Sequence, residues 1–245
     1  GGGGGGSWPN EVFLKQVLAT DYVESRSDWS DLRRTLLYAR TELRFYRDVL
    51  PLLIERHGFD AAPSVHYVRY DFEGWIDETE HATEGADASV NKEDLPDAED
   101  KGGWLILQCV GSETHYQESP LSLEEAERCL NAAADLHAAA WMDEPLLRKA
   151  GEELSRASFN LRMRNPKELE GIEGAWDHFR GEFEDDLREA GLWTRSVKDL
   201  GRRVKVAARY VSDQLTPDPA DMYATVVHGD YKAMNVMLPL DPTED

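Results

Sequence analysis

The hydrophobic positions in the first part of the chain switch between the spacing of a strand and the spacing of a helix. Residues 11–18 (EVFLKQVL) form a short run rich in β-branched and aromatic side chains, which predicts a strand. Leucine, alanine and tyrosine then recur every three to four positions over residues 30–57, which predicts a long helix. Pro51 is expected to kink or end this helix, and Gly58 is its predicted stop.

Two further apolar runs predict strands, and an acidic segment separates them. The runs cover residues 63–70 (PSVHYVRY) and residues 104–110 (WLILQCV), and the second is continuously apolar, as in a buried strand. Acidic side chains are dense over residues 71–100, where Lys92 is the sole Lys or Arg. Residues 71 to about 103 are therefore predicted to form a long solvated insertion.

Helical spacing dominates the second half of the chain. Ser122 and Glu125 have the spacing of a capping box, and apolar residues from 123 to 141 then recur every three or four positions. The pattern stays largely helical from about residue 147 to residue 215. Near the end, residues 222–240 (MYATVVHGDYKAMNVMLPL) predict a strand, a loop and a second strand.

The order of these elements predicts an α+β fold with two lobes. Residues 1–7 (GGGGGGS) are predicted to be a flexible segment, because glycine has no side chain to bury and loses the most backbone entropy on ordering. Residues 8–110 are predicted to form a small sheet-bearing N-lobe, and residues 111–245 a mainly helical C-lobe.

Composition and charge restrict the partners of the chain. The formal net charge is −21, and nucleic acid and anionic membranes both need a basic face, so neither is expected as a partner. The excess of acidic residues is typical of a well-solvated surface, and it also weakly favours a cationic small substrate. Cys109 and Cys129 lack metal-ligand spacing, and no apolar run approaches the length of a membrane span. These features predict a soluble, cytoplasmic protein and set no oligomeric state.

The segment HGDYKAMN has the residue spacing of a phosphoryl-transfer loop. Such a loop places an Asp beside the acceptor hydroxyl and an Asn five residues later on a Mg²⁺ ion, as in the protein-kinase pattern H-R-D-x-x-x-x-N. His228, Asp230 and Asn235 keep that spacing, and Lys232 is placed to reach a transferring phosphate. The alternative is a hairpin turn, because Gly-Asp is ordinary turn chemistry and Asn can cap a strand end.

A second constellation links the first strand to the long helix. The run VFLK, which ends in Lys15, has the form of the kinase strand V-A-I-K, and Glu42 lies on a mostly apolar stripe of the helix. A buried carboxylate needs a partner, and Lys15 is the predicted one, as in the Lys–Glu pair that positions ATP phosphates. The alternative places Glu42 at the edge of the stripe, solvated and near Arg34 and Arg44.

In this order, the pieces resemble the aminoglycoside phosphotransferase/choline kinase superfamily, and most closely its ecdysteroid-kinase-like (CHK) group. TELRFYRDVLPLL (41–53) is similar to that group's E-x-x-F-Y-x-x-x-x-P helix, and LHAAAW (136–141) to its L-H-A-x-x-W helix. VVHGDYKAMNVML (226–238) is similar to its H-G-D-[FY]-x-x-x-N loop, and WLILQCV takes the place of the strand before the adenine-binding hinge. The resemblance covers roughly residues 12–240 and implies a two-lobed protein-kinase-like fold that uses ATP and Mg²⁺.

The resemblance also implies roles for the residues of the loop. Asp230 would act as the catalytic base or as the carboxylate that orients the acceptor hydroxyl. Asn235 would be a Mg²⁺ ligand, and Lys232 would meet the transferring phosphate. His228 is expected to brace the loop rather than to react.

For the nucleotide, the resemblance implies a set of contacts in the N-lobe. Lys15 would contact the ATP phosphates, with Glu42 holding its side chain. The adenine would bind the backbone of the hinge, which comprises Gln108, Cys109 and Val110.

The chain departs from the family pattern in three places. The hinge lacks the usual acidic pair, and no glycine-rich strand–turn–strand precedes Lys15, so residues 1–6 are either its remnant or a linker. The second metal-binding Asp, expected on a strand after the loop, is absent, since Asp241 precedes Pro242 in an acidic tail. The chain is therefore expected to lack its C-terminal part and to be inactive as it stands.

Together these features predict an ATP-dependent phosphotransferase that moves the γ-phosphate to a hydroxyl of a small molecule, such as a choline-, sterol- or aminoglycoside-like alcohol. Gly229 replaces the Arg by which protein kinases sense a phosphorylated activation loop, which argues against a protein kinase. One alternative is a non-catalytic pseudokinase or nucleotide-binding module, favoured by the altered hinge and the missing Asp. Another is an acidic helical scaffold.

Overall fold

The fold is given by a computed structural model. It describes the following parts of the chain: residues 11–25, 29–73, 75–76, 101–155, 160–161, 166–216 and 218–240. The predicted flexible segment 1–7 and most of the predicted acidic insertion lie outside the described residues.

The described residues form helices and strands in the order of an α+β protein, so that the predicted class is confirmed. The strands are β1 (Val12–Leu18), β2 (Val65–Asp71), β3 (Gly102–Gln108), β4 (His115–Tyr116) and β5 (Leu238–Pro239). The first helices are α1 (Ala19–Ser25), α2 (Trp29–Arg44) and α3 (Leu50–His57), and a π-helical segment (Phe45–Val49), called the π-turn, joins α2 to α3. The later helices are α4 (Leu123–Ala140), α5 (Glu144–Glu153), α6 (Pro166–Glu182), α7 (Glu184–Glu189), α8 (Arg195–Lys198) and α9 (Leu200–Gln214).

The strand β3 is the centre of a three-stranded antiparallel sheet with the order β1–β3–β2. It begins two residues before its predicted start, because Gly102 and Gly103 pair with both neighbours although glycine is rare in strands. It ends two residues before its predicted end, because β1 begins at Val12, which pairs with Gln108. Cys109 and Val110 therefore leave the sheet and start the connection to the helical lobe.

The first hydrophobic core lies between this sheet and α2. Gly103 lets the helix approach the sheet closely, because a Cβ atom at this position would lie 2.5 Å from Leu43 Cδ1. Phe72, Trp75 and Ile76, from the start of the predicted insertion, are buried in the same core and are not solvated. The other buried members of this core are Val17, Ala19, Leu32, Leu36, Leu37, Ala39, Leu43, Leu105 and Leu107.

The long predicted helix changes its geometry where Pro51 was expected to disturb it. The N–H of Leu50 bonds to the carbonyl of Phe45, five residues earlier, and the helix then continues as α3. Gly58 ends α3 in the left-handed conformation (φ +67°), which confirms the predicted stop. Leu50 and Leu53 pack in a second core together with residues of α4 and α5.

The predicted start of α4 is confirmed by both bonds of its capping box. Glu125 N–H donates to Ser122 Oγ, and Ser122 N–H donates to the Glu125 carboxylate. The predicted helical stretch after residue 147 corresponds to the helices α5 to α9. Within it, α6 and α9 pack closely at Gly201, where a Cβ atom would lie 2.8 Å from Trp176 Cβ.

The prediction of a strand near residue 225 is wrong. Residues 224–228 have no regular secondary structure and run beside α4, where Thr225 Oγ1 donates to the carbonyl of His137 at 2.6 Å. The run therefore lies beside a helix, and among the described residues it pairs with no strand. The predicted second strand exists as the two residues of β5, which pair with β4.

None of the helices in the described ranges is long and apolar enough to cross a lipid bilayer.

Candidate active site

The loop from His228 to Asn235 is folded by bonds within itself. Gly229 has φ +83°, a left-handed conformation that side chains disfavour, and it turns the chain so that Asp230 N–H reaches His228 Nδ1 at 3.3 Å. The loop ends in a 3₁₀ turn (Ala233–Asn235), in which Asn235 N–H donates to the carbonyl of Lys232 at 2.8 Å. The loop is thus shaped by its own sequence.

Contacts outside the loop fix its place in the helical lobe. The hydroxyl of Tyr231 donates to the carbonyl of Cys129 on α4. Gln117 Nε2 donates to the carbonyl of Met234 at 2.6 Å, and Leu240 N–H donates to the carbonyl of Thr114 at 2.8 Å. Sequence reasoning did not find Tyr231 or Gln117 as supports, because their partners are main-chain carbonyls that carry no residue signal.

Two side chains converge on the carboxylate of Asp230. Lys232 Nζ lies 2.9 Å from Asp230 Oδ2, and Asn235 Nδ2 donates to Asp230 Oδ2 at 2.9 Å and to its carbonyl at 2.8 Å. The Asp230 side chain remains 66 % exposed. The contact with Lys232, and next the hydrogen bond from Asn235, hold the pKa of Asp230 below its usual range.

A carboxylate with a lowered pKa is ionised at neutral pH and is a weak base. Asp230 is therefore better suited to orient a hydroxyl and to stabilise its departing proton than to remove that proton early. Exposure is what such a role needs, since the acceptor must reach the Asp230 oxygens from solvent.

The donor set also fits a magnesium ion. Asn235 uses its Nδ2 to hold Asp230, and its Oδ1 takes no hydrogen bond from the described residues. Amide and carboxylate oxygens are ligands that Mg²⁺ accepts together with phosphate oxygens and water. Among the described residues, no group of three or more His, Cys, Asp or Glu side chains forms a metal cage, so phosphates and water would complete the coordination.

The predicted pair between β1 and α2 is present. Lys15 Nζ lies 2.8 Å from Glu42 Oε1 and 2.6 Å from Oε2. The two side chains are 42 % and 36 % exposed, so Glu42 is not buried as its apolar stripe predicted. Both interpretations of the sequence were partly right, because Glu42 lies at the edge of the stripe and still binds Lys15.

Tyr46 lies one turn after Glu42, and the charge of Glu42 affects its pKa. Burial, and secondly the negative charge of Glu42, raise the pKa of Tyr46 to about 12. The hydroxyl therefore stays neutral at any physiological pH, beside a carboxylate that is already paired with a lysine.

The three hinge residues differ in their main-chain hydrogen bonds. Gln108 N–H donates to the carbonyl of Ser64 at 2.8 Å, so this group is occupied. The main-chain groups of Cys109 and Val110 make no hydrogen bond with the described residues. Backbone recognition of an adenine by this segment would therefore fall to Cys109 and Val110.

The site residues thus fall into separate groups. The structure brings Asp230, Lys232 and Asn235 together, and it brings Lys15 and Glu42 together. Within the described ranges, no hydrogen bond or ion pair joins the two groups directly. Their roles in binding ATP and Mg²⁺ stay predictions.

A brace that the sequence did not reveal joins α3 to α5. Asp143 begins α5 by accepting from Leu146 N–H at 3.2 Å, and its buried carboxylate also binds Arg56 Nε at 2.7 Å and His57 Nε2 at 2.7 Å. Burial raises the pKa of Asp143, but the bonds from His57 and Arg56 outweigh it and hold this pKa below its usual range. A cavity of about 460 Å³ opens beside this brace, and its lining includes none of the loop residues.

A sequence profile of the ecdysteroid kinase-like family matches residues 106–245, which is more than half of the chain. The matched range includes the hinge, α4 and the loop from His228 to Asn235. Neither the search of curated proteins nor that of solved structures returned a significant match.

Proposed function

The chain belongs to the ecdysteroid kinase-like family of kinase-like phosphotransferases, as its motifs predicted, and on that premise we propose that it transfers the γ-phosphoryl group of ATP to a hydroxyl of a small molecule. The observation that carries this proposal is the convergence of Lys232 and Asn235 on the exposed carboxylate of Asp230. The spacing in the sequence and the geometry of the loop both favour a phosphoryl-transfer site over a simple turn.

In the proposed reaction, the acceptor hydroxyl approaches the γ-phosphorus in line with the bond to the β–γ bridging oxygen. A new P–O bond forms as that bond breaks, ADP leaves with the bridging oxygen, and the hydroxyl proton passes to the Asp230 carboxylate and then to solvent. Because the pKa of Asp230 is lowered, its main contribution is to orient the O–H group before proton transfer.

Lys232 and Lys15 supply the positive charge on this chain. Lys232, now 2.9 Å from Asp230, can turn toward the transferring phosphoryl group, because its side chain is 50 % exposed. Lys15 is held by Glu42 with its ammonium half-exposed, which suits contact with the α- and β-phosphates. In a chain with net charge −21, such local cations are needed to admit an anionic nucleotide.

Asn235 Oδ1 is the protein ligand that we assign to Mg²⁺, which would offset the negative charge of the phosphates when bound. Asp230, which would orient the acceptor hydroxyl, is held beside that ligand by its bond to Asn235 Nδ2. The acceptor itself is a small alcohol, for which choline-, sterol- and aminoglycoside-like molecules are the candidates.

The test combines binding and turnover on the chain and on any longer product of the same gene. Mg-ATP is expected to raise the melting temperature, and a panel of small alcohols is screened for transfer of ³²P from labelled ATP. Asp230→Asn should lower kcat by about two orders of magnitude or more with little change in the Mg-ATP shift, while Asp213→Asn on the exposed face of α9 changes neither.

Each outcome of this test has a distinct meaning. Because the chain as it stands is expected to be inactive, stabilisation by Mg-ATP favours the nucleotide-binding module over the enzyme only if a longer product of the gene also transfers phosphate to no alcohol. If no nucleotide changes the melting temperature, both the enzyme and the nucleotide-binding module are contradicted, and the acidic helical scaffold is the remaining hypothesis. Transfer that is unchanged in Asp230→Asn would take Asp230 out of the mechanism.

A further inference from the structure

The π-turn lies between Glu42 and Pro51 on one continuous helix. In an α-helix, the ring of Pro51 would meet the carbonyl of Arg47, four residues earlier, and would leave that carbonyl without an N–H partner. Instead, Leu50 N–H donates to the carbonyl of Phe45, five residues earlier, so the helix widens immediately before the proline. Pro51 is itself exposed, and it belongs to neither core.

The extra residue in the π-turn rotates one half of the helix relative to the other. Leu43 and Leu50 are seven residues apart, so in an unbroken α-helix they would lie within about 20° of each other. In the structure, Leu43 packs in the first core and Leu50 in the second. Because a π-turn takes up one residue more than an α-turn, it rotates the two halves by roughly 100°. Glu42 belongs to the upstream half, so this rotation sets the direction of its side chain.

Side chains of the π-turn, and Arg44 directly before it, contact both the sheet and α5. Arg44 Nε donates to the hydroxyl of Tyr70 on β2 at 3.0 Å, and Arg44 Nη1 lies 3.5 Å from Glu153 on α5. The guanidinium carbon of Arg47 lies 4.6 Å from the centre of the Tyr70 ring. Tyr46 packs against both hydrophobic cores. The π-turn is therefore the joint at which the helix passes from the sheet to the helical lobe.

We propose that Pro51 is a positioning residue for the Lys15–Glu42 pair and acts through the π-turn. By disfavouring the unbroken helix, Pro51 keeps the upstream half in the rotation that brings Glu42 within 2.6 Å of Lys15 while Leu50 stays in the second core. The importance of this placement for ATP rests on the proposed function. The placement itself does not require a nucleotide.

The experiment measures how fast the Lys15 amine is acetylated in the absence of nucleotide, by mass spectrometry of the folded chain. Glu42→Gln provides the rate of an unpaired Lys15. In Pro51→Ala, the rate should rise about twofold or more toward that of Glu42→Gln, the factor expected from losing a part-exposed ion pair. Pro145→Ala is the matched control, because Pro145 lies in the first turn of α5, where no carbonyl opposes its ring.

A rescue variant separates rotation from a general loss of stability. Deleting Arg47 in the Pro51→Ala chain removes the extra residue of the π-turn. The shortened chain can then form an unbroken α-helix in which Glu42 and Leu50 keep their native directions. Lys15 should therefore again be protected from acetylation. An unchanged rate in Pro51→Ala or in Glu42→Gln overturns the proposal, and so does a raised rate that the deletion does not reverse. Pro51→Ser replaces the alanine variant if the latter does not fold.

Melting curves with Mg-ATP are recorded on the same variants. The two results are independent. If Mg-ATP does not stabilise the chain but Pro51→Ala raises the acetylation rate of Lys15, the proposed function is wrong and the positioning role of Pro51 still holds. If the proposed function holds, Pro51→Ala should also reduce the Mg-ATP shift in melting temperature, as Glu42→Gln does, whereas Pro145→Ala should not.

Discussion

Asn235 binds Asp230 twice, since its Nδ2 donates both to the main-chain carbonyl and to the carboxylate of that residue, at 2.8 and 2.9 Å. Between them, Lys232 has an extended backbone and residues Ala233–Asn235 form a 3₁₀ turn. This backbone path brings the two side chains to the same side of the loop. The spacing therefore closes the loop and also leaves Asn235 Oδ1 available for a metal ion.

Asn235→Asp keeps the size of the side chain but replaces its donor with a second carboxylate. Asp230 loses a hydrogen bond and faces a like charge, so the pKa of Asp230 rises from its lowered value. We expect the acid limb of the kcat profile to move to higher pH and kcat at neutral pH to fall about tenfold or more. The pH dependence of phosphoryl transfer measures both. Asn131→Asp, on the exposed face of α4, is the control, and an identical acid limb in both variants contradicts the assignment.

Lys15→Met should separate binding from stability. The Lys15–Glu42 pair is part-exposed, so its loss should change the free energy of unfolding by about 0–1 kcal/mol. The rise in melting temperature with Mg-ATP should nevertheless be reduced or lost, because the ammonium is the assigned phosphate contact. Lys149→Met removes a similar part-exposed pair, with Glu153 on α5, and should leave the nucleotide effect intact. Equal Mg-ATP shifts in the two variants would remove Lys15 from the nucleotide site.

Gly229→Ala should disturb the loop through its backbone alone. No atom lies within 4 Å of the position that a Cβ would take, but φ is +83°, which costs a residue other than glycine about 1–2 kcal/mol. We expect kcat to fall roughly tenfold and the melting temperature to fall by only a few degrees, because the strain is confined to one residue. Gly111→Ala has equally free space without the positive φ and serves as the control. Wild-type kcat in Gly229→Ala would show that the turn does not need glycine.

Asp143→Asn tests the brace between α3 and α5 through its dependence on pH. Asn also begins a helix well, so the variant isolates the charge that Arg56 and His57 bind. Because the folded pKa of Asp143 lies below its unfolded value, its contribution to stability is complete above about pH 4 and is lost as pH falls through the lowered pKa. Urea unfolding should give a loss of about 2 kcal/mol in the variant near neutral pH.

The same variant should show a smaller loss of stability on acidification. Below the folded pKa, Asp143 is protonated in the wild-type chain, so the two proteins should approach each other as pH falls. The difference in the free energy of unfolding, measured from pH 7 downward, checks this expectation. A constant difference across that range would mean that the effect comes from side-chain shape and not from charge.

Local signals explain which parts of the fold could be predicted. The capping box of Ser122 and Glu125, the stop at Gly58 and the strand around Lys15 each depend on a few neighbouring residues, and each is present. The strand expected near Thr225 is not formed, because its apolar run lies beside α4 and pairs with no strand in the part of the chain that the structure describes. The shift of β3 has the same origin, since Gly102 enters the strand only because two neighbours pair with it.

The sequence by itself determined the chemistry of the candidate site, because the Asp–x₄–Asn interval sets the residue types of the loop and the bonds from Lys232 and Asn235 to Asp230 lie within it. Only the tertiary structure decided how exposed these groups are and what supports them. Glu42 stays half-exposed, and Asp143 is braced by two side chains that are 87 and 86 residues distant in the sequence. The physical reason is that hydrogen-bond geometry within one turn is a local property, whereas burial and the pKa of a charged group depend on every element that packs around it.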